Sequence, residues 1–161
     1  MNPAPAPAPA PTTIAVGFDG SSSATSALRC ALALAAPLRA RVVVVHAAGL
    51  LSRLEPLDAH QGLEDAVRRV GAEFEGELEF IRYEVDEGDA CSVLLRAAHD
   101  PIAADLVVVG SRGHGVHEGL MLGSTSLQLA ERSSIPVVIV PSGRQGRTMG
   151  SDHTAASPSA P

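Results

Sequence analysis

The sequence predicts an α/β fold, namely a five-stranded, parallel, doubly wound sheet with helices on both faces and a strand order of about 3-2-1-4-5. Short β-branched runs alternate along the chain with segments whose apolar residues recur at helical spacing. Such alternation is typical of parallel strands joined by right-handed helical crossovers. Three of the runs are continuously apolar, as expected of strands that are buried on both faces.

The strands are predicted from five runs, at Thr13–Phe18, Arg41–His46, Leu78–Val85, Asp105–Val109 and Pro136–Val140. The third run alternates polar and apolar residues, so we expect it at an edge of the sheet. With only five strands, the smaller of the two common doubly wound arrangements is favoured.

Four helices are predicted between the strands. In the first, apolar residues recur at helical spacing from Ala24 to Ala35. The predicted limits are a cap within Ser21–Ser23 for the first helix, a cap at Asp58 for the second, Asp89 to Pro101 for the third, and Ser124 to Arg132 for the fourth.

One folded domain is expected between residues 12 and 141. Residues 1–11 alternate Ala and Pro, and Pro removes backbone donors and fixes φ. Residues 142–161 are rich in Gly, Ser, Pro and Ala without apolar periodicity. We expect both segments to be disordered.

Composition argues against several classes of function. The net charge is −6 and aromatic residues make up 2% of the chain, so neither a basic stripe nor a stacking platform for nucleic acid is visible. No apolar run reaches the roughly 18 residues that span a bilayer, and the N-terminus does not resemble a secretory signal. Cys30 and Cys91 are expected to be small buried hydrophobes and not a disulfide. We therefore expect a cytoplasmic protein.

The fold itself predicts the location of a binding site. In the order 3-2-1-4-5 the winding reverses between the first and fourth strands, and ligands bind beyond the carboxyl ends of the strands at such a point. The residues there are 17–21 and 110–113.

The segment after the fourth strand has the chemistry of a phosphate site. It contains Gly110, Gly113 and Gly123, and Ser124 then begins a helix. We expect the glycines to allow positive φ and a close approach of phosphate, while the helix N-terminus and the hydroxyls of residues 124–126 favour an anion. The pattern indicates a polyphosphate but says nothing about adenine.

Two common phosphate motifs are absent from the sequence. The chain contains no Lys, which excludes a P-loop lysine. The first strand–helix turn, GFDGSSSA, departs from the G-x-G-x-x-G pattern of dinucleotide-binding folds.

The spacing G-x2-G-x9-G-[ST], carried by Gly110, Gly113, Gly123 and Ser124, resembles the ATP-binding signature of the universal stress protein family. The segments IAVGFDGSSSA, ADLVVVGSRGHG, GSTS and IPVVIVP are similar to that family in the same order. The resemblance covers about residues 12–141 and is weakest over residues 50–76.

The resemblance implies an ATP site, with or without Mg²⁺, and a homodimer formed through the last strand, Pro136–Val140. Asp19 would contact the ribose or a bound metal, and the backbone of Ala47 would meet the adenine edge. The remaining implied contacts are Gly17 at the adenine, Gly110 at the ribose, and Gly113, Gly123, Ser124 and Thr125 at the phosphates.

Several polar residues have plainer interpretations. Arg112 could meet a phosphate or face solvent, and Asp19 could cap its own turn. His46 is interpreted as a hydrogen-bonded histidine beside the site and not as a base. His114 and His117 form H-x-x-H, yet neither a Cys nor a carboxylate cluster completes four metal ligands.

Three functions are compatible with the sequence. The first is a regulatory ATP-binding module of the stress response, with slow or absent turnover. The second is a weak ATPase or phosphoryl-transfer enzyme, for which Asp19 would be the only candidate carboxylate. The third is an adaptor of the same fold that binds no nucleotide. A cyclic nucleotide as the ligand also remains open.

Overall fold

The computed structural model describes residues 11–48, 57–74, 81–113 and 122–141. The arm through residue 10 and the tail from residue 142 lie outside these ranges, so their expected disorder stays a prediction. In chain order the elements are β1 Thr13–Gly17, α1 Ser22–Leu38, β2 Arg41–Ala48, α2 Leu57–Gly71, β3 Ile81–Glu87, α3 Ala90–Arg96, β4 Leu106–Gly110, α4 Ser124–Arg132 and β5 Val137–Val140.

The five strands form one parallel sheet in the order β3-β2-β1-β4-β5. This confirms the predicted fold class and order, including the edge position of β3. The central strand β1 pairs with β2 from Thr13–Arg41 to Gly17–Val45 and with β4 from Ile14–Leu106 to Val16–Val108. Winding therefore reverses between β1 and β4, as predicted.

Alternate residues of β1 are buried in two separate cores. Ile14 and Val16 lie in the core that contains α1 and α2, with Leu28 and Val67 among its members. Ala15 lies in the opposite core, where α3 and α4 pack. Burial on both faces explains the uninterrupted apolar runs of the central strands.

The predicted cap of α1 is confirmed. Ser21 lies just before the helix and its side chain accepts a hydrogen bond from the Ala24 N–H at 3.1 Å. All five apolar residues of the predicted α1 pattern are buried, namely Ala24, Ala27, Leu28, Ala31 and Ala35.

Other predicted limits need correction. Asp58 lies inside α2 and is not its cap, because the helix already includes Leu57. Helix α3 begins behind Asp89 as predicted, but it ends at Arg96 and not at Pro101, since the Ala97 N–H bonds back to Leu94 O. Strand β3 extends to Glu87, where the chain still pairs with β2, and its predicted start at residues 78–80 lies outside the described ranges.

Strand β5 is half-buried along its whole length, whereas its apolar run predicts full burial. Its position at the sheet edge accounts for this, because only β4 covers it from the side. Both thiols are free; Cys91 is buried, as expected, whereas Cys30 is only half-buried. Within the described ranges, no helix combines the length and the apolar character needed to cross a bilayer.

Asp105 ties the start of β1 to the start of β4. Its Oδ2 accepts hydrogen bonds from the Thr12 N–H at 2.9 Å, the Thr12 hydroxyl at 2.9 Å and the Thr13 N–H at 3.0 Å. These donors, the Thr12 N–H first, lower the pKa of Asp105 from its ordinary value. The ionised carboxylate therefore holds the two central strands in register at their amino ends.

We expect Asp105→Ala to lower the free energy of unfolding at pH 7 by about 1 kcal/mol, a value reduced for solvent screening at this exposed site. Because the folded pKa is depressed, the stabilisation is present above the unfolded pKa of about 4 and is lost as the pH falls through the folded value. Denaturant unfolding of both proteins should therefore show the difference shrinking below about pH 4. Asp65→Ala, at an exposed carboxylate on α2, is the matched control. A difference that persisted unchanged at pH 2 would contradict the assignment.

Candidate functional site

A cavity of about 300 Å³ lies at the carboxyl ends of β1 and β4, where the sheet winding reverses. The structure brings all the site residues predicted from sequence to the wall of this cavity. These are Gly17, Asp19, Ala47, Gly110, Arg112, Gly113, Gly123, Ser124 and Thr125. Their roles toward a ligand stay predictions.

The turn from β1 to α1 forms one side of the cavity. The Oδ1 atom of Asp19 accepts a hydrogen bond from the Ser21 N–H at 2.9 Å, and Gly20 between them has a φ of 84°. Asp19 therefore does hold its own turn, as one of its two interpretations requires. Its Oδ2 lies against Gly113, because a Cβ added to that glycine would be 2.6 Å away.

His46 joins the end of β2 to the same turn. Its Nδ1 lies 2.9 Å from the Phe18 carbonyl oxygen. The hydrogen bond agrees with the interpretation of His46 as a hydrogen-bonded residue beside the site. Both His46 and Phe18 line the cavity, although the sequence-based set of site residues omits them.

The two ends of the glycine loop, the segment of residues 110–124, are fastened to each other. The Ser111 carbonyl oxygen accepts a hydrogen bond from the Gly123 N–H at 2.7 Å. The Ser126 hydroxyl, 2% exposed, lies 3.2 Å from the same oxygen and 2.9 Å from the Gly123 carbonyl oxygen. Ser126 thus fixes the loop and is not the phosphate donor that the sequence suggested.

Residues 114–121 of the loop, among them His114 and His117, lie outside the described part of the chain. The H-x-x-H hypothesis therefore has no structural test. Within the described residues there is no group of three His, Cys, Asp or Glu side chains that could hold a metal ion.

The described glycines of this loop do not have positive φ, so that part of the expectation is wrong, while the expected close approach of phosphate stays a prediction. Among the described glycines only Gly20 and Gly88 have positive φ, and Gly123 has a φ of −73°. Gly110 is required instead by packing, because an added Cβ would lie 2.7 Å from the carbonyl carbon of Ser23 in the first turn of α1. Gly17 similarly leaves space for Leu94 of α3, which an added Cβ would approach to 2.8 Å.

Ser23 links α1 to the glycine loop. It is 3% exposed, and its hydroxyl accepts a hydrogen bond from the Arg112 N–H at 3.3 Å. Ser23 was not in the predicted set of site residues, because it acts on the backbone of Arg112, which is 89 residues away in sequence. Arg112 is exposed and is the only arginine among the described residues of the cavity wall.

Three helices begin near the cavity, and only two of them have a side-chain cap. Ser21 caps α1, and Asp89 caps α3 by accepting a hydrogen bond from the Ser92 N–H at 3.0 Å. Hydrogen bonds from Ser92 lower the pKa of the Asp89 carboxyl. Helix α4 follows Gly123, which offers no side-chain cap. The first-turn N–H groups of α4 are thus those best placed to meet an anion.

We expect Gly110→Ala to destabilise the protein by about 1–3 kcal/mol, because the new methyl group must displace the first turn of α1. Gly123→Ala should cost less than about 1 kcal/mol, since its Cβ would have ordinary contacts of 3.4 and 3.5 Å. Gly62→Ala, with no atom within 4 Å of the added Cβ, is the control and should stabilise α2 by about 0.5–1 kcal/mol. Chemical denaturation measures all three. Equal losses at Gly110 and Gly123 would contradict the packing argument.

Known proteins of similar sequence and structure share this architecture. The model of the universal stress protein family matches residues 11–141. A curated universal stress protein of Mycobacterium tuberculosis, Rv2624c, is 35% identical over 82 residues, which are 51% of this chain and 28% of that protein. The match therefore spans less than a third of the relative's length.

Solved structures cover more of the chain. A universal stress protein in complex with cAMP is 28% identical with a TM-score of 0.66, over 84% of this chain and all of that one. A family member from Burkholderia pseudomallei is 27% identical with a TM-score of 0.61, over 84% of this chain and 99% of that one. Because the family model matches most of the chain, and these solved structures agree with it, the chain belongs to the universal stress protein family.

Proposed function

We propose that this protein is a regulatory module that binds ATP in the cavity between β1 and β4. The observation that carries the proposal is the uncapped start of α4, with the hydroxyl-bearing residues Ser124 and Thr125, on the wall of a cavity at the winding reversal. A similar protein of the same family has been crystallised with cAMP, which supports an adenine nucleotide as the class of ligand.

The phosphate end of the ligand would lie at α4. Backbone N–H groups at a helix start point outward along the helix axis and carry partial positive charge. Arg112 adds a full positive charge on the same wall. The chain has no Lys, so these groups and the loop backbone would supply the attraction.

The adenine end would lie at Ala47. The Phe18 N–H donates to Val45 O at 3.0 Å, while the Gly88 N–H donates to Ala48 O at 3.0 Å. Peptide groups of a parallel strand face its two neighbours alternately, so those of Ala47 point to the side of β1. Strand β1 has already turned away there, since its pairing with β2 ends at Gly17–Val45. The N–H and the carbonyl oxygen of Ala47 thus both face the cavity. They match an adenine edge, whose ring nitrogen accepts a hydrogen bond and whose amino group donates one.

Asp19 is the acidic residue among the described residues of the wall. A carboxylate near a polyphosphate is unfavourable unless a cation lies between them. Asp19 fits a contact to Mg²⁺ that the phosphates would also bind, or to a ribose hydroxyl. One of its oxygens already accepts the Ser21 N–H. This favours a role in positioning the ligand over a role as a general base, and so supports binding of ATP without rapid turnover.

Ser124→Glu tests the phosphate end without weakening the fold. A carboxylate in the first turn of α4 interacts favourably with the helix dipole, by about 0.3–1 kcal/mol, yet repels phosphate. We expect thermal stability to hold or rise and the Kd for ATP, measured by calorimetry, to increase at least about tenfold. Gln128→Glu, an equal change of charge at an exposed position of α4 away from the cavity, should leave the Kd within about twofold.

The same samples separate the alternatives. Mass spectrometry of small molecules released from the purified protein should find ATP, and incubation for hours should not convert it to ADP. Conversion would support the weak ATPase, and preference for cAMP over ATP in competition would move the ligand to a cyclic nucleotide. If no nucleotide is released and none binds at millimolar concentration, the adaptor remains and the proposal fails.

We also propose that a homodimer forms through β5. Val107 N–H donates to Pro136 O and Ser111 N–H donates to Val140 O, at 3.0 and 2.7 Å. The even-numbered residues of β5 therefore face β4, and the peptide groups of Val137 and Ile139 face outward. Within the described residues no strand covers that edge. An apolar, unpaired edge is a template for a second strand.

Ile139→Pro removes an outward N–H while leaving the β4–β5 ladder, whose partners are the even-numbered residues. We expect the molar mass by light scattering to fall from that of a dimer to that of a monomer, because Pro tolerates edge strands but cannot donate across them. Ile139→Val keeps the N–H and should stay dimeric. A folded Ile139→Pro variant that remained dimeric would place the interface elsewhere.

A further inference from the structure

His46 connects the end of β2 to the backbone of the preceding turn. Its Nδ1 lies 2.9 Å from Phe18 O, and a carbonyl oxygen can only accept. The ring must therefore carry its proton on Nδ1, which donates to Phe18. Both residues line the cavity.

The Phe18 carbonyl oxygen, which accepts from His46, is also the atom that would accept the next hydrogen bond between β1 and β2. In parallel pairing, Val45 receives the Phe18 N–H, so the Ala47 N–H would go to Phe18 O if the ladder continued. Within the described residues the pairing stops at Gly17–Val45, before that bond. The imidazole thus lies at the place where the strands stop pairing.

We infer that His46 is a positioning residue for nucleotide: by donating to Phe18 O it fixes the Phe18 peptide where β1 turns away from β2, and so keeps the Ala47 peptide open to the adenine edge. The inference rests on the proposed ATP site and assigns a specific task within it. The Nδ1 proton of His46 is engaged with the backbone and is not offered to the base. The effect of His46 on binding passes through Ala47.

Two consequences separate this role from general support of the fold. Without the imidazole donor the Phe18 peptide loses its anchor, so the turn after β1 can move toward Ala47 and pair with its N–H, which removes a donor from the base but not from the phosphates. The phosphate end lies at α4 and the glycine loop, on the far side of β1 from β2. Affinity for the adenine part should therefore fall while affinity for the triphosphate part stays.

The binding experiment compares the full chain with His46→Leu and His46→Asn, using ATP, inosine triphosphate and inorganic tripolyphosphate as probes in calorimetry. Leu has no donor, whereas the Asn amide nitrogen takes about the place of the imidazole Nδ1. We expect His46→Leu to weaken ATP about five- to twentyfold, to reduce the preference for ATP over inosine triphosphate, and to leave tripolyphosphate unchanged. His46→Asn should restore most of the ATP affinity. Equal weakening of ATP and tripolyphosphate, or no recovery with Asn, would overturn the inference.

A second measurement needs no variant. Nitrogen-15 NMR of the unmodified protein should show His46 with its proton on Nδ1, and hydrogen exchange at the Ala47 amide should be fast without nucleotide and slow with ATP. An Ala47 amide that is already protected in the free protein would overturn the inference while leaving ATP binding intact. If the unmodified chain binds tripolyphosphate but shows no preference for ATP, the proposed adenine site and this inference both fall.

Discussion

The close approach of α1 to the end of β4 is the contact on which the site depends. The first turn of α1 lies where a side chain on Gly110 would otherwise be, and Ser23 then receives the Arg112 N–H. This contact fixes the first strand–helix turn relative to the glycine loop, which are the two walls of the cavity. Because packed interiors do not deform continuously, an additional methyl group at Gly110 would shift both walls.

Hydrogen bonds between polar side chains and backbone groups extend this constraint around the cavity. Ser126 fastens the two ends of the glycine loop, Asp19 holds the turn after β1, and His46 joins that turn to β2. Each such bond replaces a bond to water and gains little net energy, but its loss leaves a group unpaired, and the cost is greatest at the buried Ser126. These bonds hold the described part of the cavity wall in place, and such preorganisation lowers the entropy cost of binding a ligand.

The sequence was sufficient for the fold and for the location of the cavity. Apolar periodicity reports burial directly, so β1, β2 and β4 were readily identified, and doubly wound topology then placed the site at the carboxyl ends of β1 and β4. It was insufficient for the role of each glycine. Ser23 and Arg112 are 89 residues apart, and no local pattern shows that α1 passes close to Gly110. Strand ends were displaced by one or two residues, because the last bonds, such as Gly88 N–H to Ala48 O, depend on the neighbouring strand.

The arrangement of side chains at the cavity explains why, for the proposed ATP site, base identity is the part of the function that sequence shows least. The hydroxyl of Ser126, the imidazole of His46 and one oxygen of Asp19 are engaged with the backbone. The groups left to contact a ligand are largely main-chain groups, namely the N–H groups at the start of α4 and the peptide of Ala47. Main-chain groups are present whatever the residue, so under the proposed binding mode a substitution at Ala47 would leave base recognition intact while a change at His46 would alter it. At the proposed ATP site, specificity would depend on the residues that hold the backbone open and not on those that touch the base.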